Sequence, residues 1–194
     1  MTTLNIGIVL STARSARFAD RPASWLLDLA KPREEARFEI VDLRDHKLPF
    51  FDEQKAPIWE PPKDPAAQAW CARIARFDGY VFVTAEYNRG IPAVLKNALD
   101  HTYFELHRKP AGFIGYGGVG AARAIEQLRL VLVELHVAPL RNAVHIGLTE
   151  FLGLLYQGKT FEDYPHLAKS AAEMLDDLIW WTRTLKAGRE ASPA

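Results

Sequence analysis

Gly79-Tyr80-Val81-Phe82-Val83-Thr84-Ala85-Glu86-Tyr87-Asn88-Arg89-Gly90-Ile91-Pro92-Ala93-Val94-Leu95-Lys96-Asn97-Ala98-Leu99-Asp100 is the stretch that decides the fold. It opens as an apolar run, crosses a polar turn, and enters a helical pattern near Pro92, a residue suited to a first helical turn. The same strand-to-helix rhythm recurs on both sides. Buried strands are expected at 4–10, 38–43, 80–84, 111–115 and 140–146. Helices are expected at 18–30, 64–76, from 92 onward, 120–136 and 166–186, each with apolar residues at helical spacing. Five β-α alternations imply an α/β fold with a parallel sheet covered by helices on both faces. Right-handed crossovers then favour the flavodoxin-like strand order 2-1-3-4-5.

Composition narrows the classes. The 194 residues suit a single domain with a sizeable core, and 48% hydrophobic with 25% charged residues is ordinary for a globular protein. Lys plus Arg and Asp plus Glu are both 24, so no global field favours nucleic acid or an anionic membrane. The single cysteine, Cys71, excludes an internal disulfide and a cysteine-cluster metal site, and reads as an inert thiol. No leader pattern opens the chain, and no run approaches the ~20 apolar residues of a membrane span, so a cytoplasmic location is the default. The six histidines lack metal spacing, and no Ser-His-Asp or paired-carboxylate pattern suggests hydrolysis.

Two segments break the rhythm. Residues 44–63 carry Pro49, Pro57, Pro61 and Pro62 with Phe50, Phe51 and Trp59. Residues 149–164 read as a loop rich in apolar side chains. Long connections of this kind are usually functional or ordered by a partner, and the apolar residues suggest an interface. Residues 187–194 read as a frayed tail.

Three turns carry the chemistry. After the first strand, Leu10-Ser11-Thr12-Ala13-Arg14-Ser15-Ala16-Arg17-Phe18 brings hydroxyls, guanidiniums and free N–H groups to a helix start, which suits phosphate. The glycine-lysine pattern of a nucleoside-triphosphate loop is missing. After the third strand lies the aromatic-polar turn already quoted. After the fourth lies Gly115-Tyr116-Gly117-Gly118-Val119-Gly120-Ala121-Ala122-Arg123, where glycines permit close approach to a flat ligand edge. In a 2-1-3-4-5 sheet these strands are neighbours, so their turns converge on one crevice.

The run from Thr84 to Asp100 resembles the active-site turn of the NADPH-dependent FMN reductase family, usually written Pro-Glu-Tyr-Asn, a short link, Ile-Pro, then Leu-Lys-Asn-Ala. Ala85 stands where the proline is usual. The first turn resembles the family's Gly-Ser-x-Arg with a second arginine: Ser11 replaces the glycine, while Thr12, Arg14 and Arg17 fit. Arg123, Gln127, Leu128 and Arg129 resemble the family's helix after its glycine turn, and Leu48-Pro49-Phe50-Phe51-Asp52-Glu53 resembles its Leu-Pro-x-x-Asp-Glu loop.

The resemblance implies an enzyme that binds FMN. Ser11, Thr12, Arg14 and Arg17 would take the phosphate. Ala85, Glu86, Tyr87, Asn88, Arg89, Gly115, Gly117 and Gly118 would cradle the ring. NADPH or NADH would give a hydride to the flavin, and a quinone, azo compound, free flavin or metal ion would receive it. Hydride transfer needs no general base, so no side chain is given a catalytic role and Glu86 is expected to hydrogen-bond. The family is typically dimeric or tetrameric, which makes a homodimer or homotetramer the expectation and Ile58 and Trp59 candidates for a pocket shared with a neighbour. A different class, a non-catalytic electron carrier or flavin-binding regulator, is the alternative; such carriers are commonly acidic, and this chain is neutral.

Overall fold

The computed structural model describes residues 3–191. Five strands, β1 (Leu4–Leu10), β2 (Ala36–Asp42), β3 (Gly79–Ala85), β4 (Pro110–Tyr116) and β5 (Ala138–Ile146), form one parallel sheet in the order β2-β1-β3-β4-β5. The expected topology is the observed one. Every residue of β3 and β4 is buried, whereas β2 and β5 expose part of their length. Continuous apolar runs therefore mark the centre of the sheet, as two-sided burial requires.

Among the described residues six α-helices cover the faces: α1 (Asp20–Ala30), α2 (Pro65–Ala75), α3 (Ala93–Asp100), α4 (Ala122–Glu134), α5 (Leu148–Tyr156) and α6 (Pro165–Ala191). Side chains alternate across the strands and feed two cores. Ile6, Ile8, Val81, Val83 and Ile114 join α1 and α6 on one face. Val9, Tyr80, Phe82 and Phe113 join α2, α3 and α4 on the other. Local chemistry sets the helix starts. Asp64 accepts from the N–H groups of Ala66 and Ala67 at 2.8 and 3.0 Å, with Pro65 following as the first residue of α2.

Two expectations change and one holds. The 149–164 segment is not a loop throughout: it contains α5, a helix with no side-chain cap. The last helix continues to Ala191, so residues 187–191 are helical where fraying was expected; residues 192–194 lie outside the described part. Cys71 is buried with its Sγ against the His101 carbonyl, and burial pushes its thiol up to about 12, which fits an inert role.

The other irregular segment, 44–63, is pinned at its start by α3. Asn97 accepts from the Phe51 N–H at 3.0 Å and donates to the Pro49 carbonyl at 2.8 Å, and the buried His101 ring lies 3.1 Å from that carbonyl. Asn97 and His101 therefore shape a loop, and Lys96 pairs with Asp100 at 2.6 Å. Further along, Phe50 and Trp59 remain exposed.

Candidate functional site

At the carboxyl ends of β1, β3 and β4 the three turns meet. A cavity of about 390 Å³ is lined by Arg14, Glu86, Tyr87 and Gly117 from these turns and by Phe151 and Tyr156 from α5. Its size suits a small organic ligand. The order of strands alone brings together residues more than a hundred positions apart.

The first turn leaves several hydrogen-bonding groups unpaired among the described residues. Ser11 is fully buried, and its Oγ has no hydrogen-bond partner among the described residues. An orphaned buried hydroxyl is costly unless a ligand completes it. No backbone N–H from Thr12 to Arg17 donates to an acceptor among the described residues. Arg14 is exposed and forms no ion pair or hydrogen bond there. The Thr12 hydroxyl lies 3.3 Å from the Tyr116 hydroxyl, tying the first turn to the third. Burial pushes the Tyr116 phenol up to about 12, so it stays neutral at ordinary pH.

Arg17 does something other than expected. Its guanidinium bonds Asp42 at 2.6 Å through each terminal nitrogen, Asp20 at 2.9 and 2.5 Å, and the Thr12 carbonyl at 2.8 Å. All five of its N–H donors are thereby engaged, and none is left for a phosphate. This corrects the reading of Arg17 as an anion ligand. It is a clamp that binds the turn to the end of β2 and the start of α1. Burial works to raise the Asp42 carboxyl, but bonds from Arg17 and Arg44 outweigh it and hold the group well below the usual carboxylate range.

The second turn is a two-residue hairpin. Tyr87 and Gly90 exchange two backbone bonds of 3.0 Å, and Asn88 and Arg89 between them have φ of 51° and 69°. Positive φ at both central positions is the type I′ geometry, which asparagine tolerates well. Pairing Tyr87 with Gly90 leaves the N–H groups of Glu86, Asn88 and Arg89 without acceptors among the described residues. Gln127 holds the exit by accepting from the Ile91 N–H at 3.3 Å. Ala85 is buried at the end of β3.

Glu86 hydrogen-bonds, as expected, and its partners are specific. It accepts from the N–H groups of Arg123 and Ala124 at 3.2 and 3.4 Å and from Arg123 Nε at 2.6 Å, and forms an ion pair with the same guanidinium. Helix α4 starts from Ala121 in the left-handed region with no side-chain cap of its own. Glu86 caps it from across the sheet, fixing the second turn to the third. Burial works to raise the Glu86 carboxyl, but Arg123 and the N–H groups it meets hold it below its ordinary value, so it remains ionised.

The glycines of the third turn divide by role. Gly115 needs its missing side chain for the turn itself, because a Cβ there would strike the Gly120 carbonyl oxygen and the Ala121 methyl. Of this turn, Tyr116 and Gly117 line the cavity and Gly115 does not. Gly117, at φ +122°, and Gly118 face open space, so a flat ligand edge can approach the backbone there. His145 on β5 steadies the turn, with Nδ1 2.9 Å from the Gly120 carbonyl.

Sequence reasoning missed Asp20, Asp42, Tyr116, Gln127, His145 and the α5 residues. Gln127 carried a readable signal in its place after the glycine turn, and the apolar side chains of 149–164 marked the α5 segment as functional, though as an interface.

A five-stranded parallel sheet in the order 2-1-3-4-5, with three turns meeting at one crevice, defines a flavodoxin-like domain. The chain belongs to the NADPH-dependent FMN reductase family, whose model matches residues 4–150. It is 38% identical over 146 residues to an NAD(P)H-dependent FMN reductase of Schizosaccharomyces pombe, covering 73% of each chain. It is 33% identical over 141 residues to a 2-hydroxy-1,4-benzoquinone reductase of a Burkholderia species, covering 69% of this chain and 73% of the other. Among solved structures, the flavoenzyme FerB of Paracoccus denitrificans, an NAD(P)H:(acceptor) oxidoreductase, aligns with a TM-score of 0.70 at 20% identity, over 94% of this chain and 98% of that one. At that identity the likeness shows the fold.

Proposed function

We propose that the three-turn crevice holds FMN and that the protein is an FMN-dependent NAD(P)H oxidoreductase acting on quinone or azo acceptors. The observation that carries the placement is the buried, partnerless Ser11 Oγ beside a row of free N–H groups. Ser11, Thr12, Arg14 and the N–H groups of the first turn receive the phosphate. Tyr87 and the free N–H groups of Glu86, Asn88 and Arg89 face the ring, and Gly117 and Gly118 admit its other edge. When bound there, FMN would supply two-electron redox chemistry between NAD(P)H and the acceptor.

The chain's own residues bind and orient. Arg17, Asp20 and Asp42 fix the phosphate turn, and Glu86 with Arg123 fixes the two ring turns to each other. No side chain moves a proton in this scheme: Glu86 is held ionised by fixed donors, and the Tyr116 phenol is held protonated. Donor and acceptor use the crevice in turn. Initial rates with NADPH and a quinone varied together should give parallel double-reciprocal lines; lines that converge contradict the scheme.

The protein works as a homodimer or homotetramer in the cytoplasm. Support for assembly comes from a cavity of about 580 Å³ between the long loop, α3 and α4, lined by Phe51, Pro57, Ile58, Leu99, Tyr103 and Leu130. Leu130, Val133, Phe104 and Trp59 stand exposed on α4, the 104–106 turn and the long loop. Among the described residues no helix is long and apolar enough to cross a membrane, and no cluster of His, Cys, Asp and Glu suits a metal.

A further inference from the structure

The family match ends at Glu150, yet three of the cavity-lining side chains lie beyond it: Phe151, Leu155 and Tyr156. All three are on α5: Phe151 and Leu155, four residues apart, share one side of the helix, and Tyr156 stands at its last residue and lines the same cavity. That helix is firmly seated. The Phe151 ring packs 4.9 Å from Phe18 edge-on and 6.1 Å from Tyr116 at an interplanar angle of 13°. Arg21 donates to the Leu154 carbonyl, and Gly153 is packed so closely on the Tyr164 hydroxyl that no side chain fits there. Seating a helix this firmly would ordinarily turn its large side chains inward. Tyr156 nevertheless keeps 77% of its surface exposed while lining the cavity.

The same cavity is also lined by the charged Arg14 and Glu86 and by Tyr87. The crevice therefore carries charged groups suited to a phosphorylated cofactor and, at Tyr156, an aromatic ring left largely exposed. We propose that α5 is the acceptor-selecting wall of this crevice, and that Tyr156 receives a planar aromatic acceptor of the quinone class against its ring while Phe151 and Leu155 support it. An aromatic face offers offset stacking to such a ring and nothing comparable to a compact inorganic ion. The inference rests on the FMN reading above and adds to it the residue that discriminates between acceptors.

The test uses the FMN-loaded protein, with menadione as the quinone and ferricyanide as the inorganic acceptor. Menadione binding to the oxidised holoprotein is followed by perturbation of the flavin visible band, which reads affinity without turnover. Tyr156→Ala should weaken menadione binding by about five- to tenfold, on the scale of one aromatic pair. The ratio of kcat/KM for menadione to that for ferricyanide should fall by a similar factor. Tyr156→Phe, which keeps the ring, should stay within about twofold of the parent on both measures. Unchanged menadione affinity in Tyr156→Ala overturns the proposal. So does loss of FMN from that variant with the quinone affinity of the remaining holoprotein intact, because the wall would then belong to the cofactor. A parent protein that retains no FMN sinks the underlying reading instead, and shows it before any substitution is made.

Discussion

Arg14 and Arg17 lie three residues apart in the turn before α1 and do different work. Both line the cavity, but Arg17 has its donors engaged by Asp20, Asp42 and the Thr12 carbonyl, while Arg14 stands exposed. Arg14→Ala should weaken FMN binding by about 1.5–3 kcal/mol, the scale of one charge-assisted partner, and leave the melting temperature nearly unchanged. Fluorescence titration checks it, and unaltered affinity removes Arg14 from the phosphate site. The sequence showed both arginines as equals. What separates them is Asp42, 25 residues from Arg17 and brought beside it only by the pairing of β1 with β2. Gly115 and Gly118 were equally alike on paper; the return of the chain at Gly120 fills the space over one and leaves the other open.

At the scale of elements, the three turns were legible because each follows an apolar run and precedes a helical pattern, and strand order did the rest. Helix α5 was not legible. It is nine residues long, lacks a side-chain cap, and is held by Phe18, Tyr116 and Arg21 rather than by any local preference. The cap on α4 was equally hidden, since Glu86 supplies it from another turn. The clamp between the first turn and β2 gives a pH signature. The folded protein holds Asp42 below the usual carboxylate value of about 3.9, so its stabilising effect is complete above that value and is lost as pH falls toward the folded value. Asp42→Asn leaves the largely buried Arg17 short of a partner and should cost about 3 kcal/mol at pH 7. Urea midpoints for parent and variant should draw together between about pH 5 and pH 2. A gap of constant size across that range contradicts the clamp.

For the molecule as a whole, one end of the sheet carries the crevice, and an apolar groove runs beside α3 and α4. A second copy of the chain covering that groove would bury Leu130, which is 74% exposed here. Leu130→Glu should therefore shift the sedimentation mass toward the monomer; a parent that is already monomeric contradicts the assembly. The central claim is that three turns on neighbouring strands form one FMN site used for reduction by NAD(P)H. Its most direct test is the visible spectrum of the protein after FMN addition and desalting, followed by anaerobic NADPH. The account predicts a retained flavin band that bleaches on NADPH. A protein that retains no flavin, or retains it without bleaching, contradicts the account.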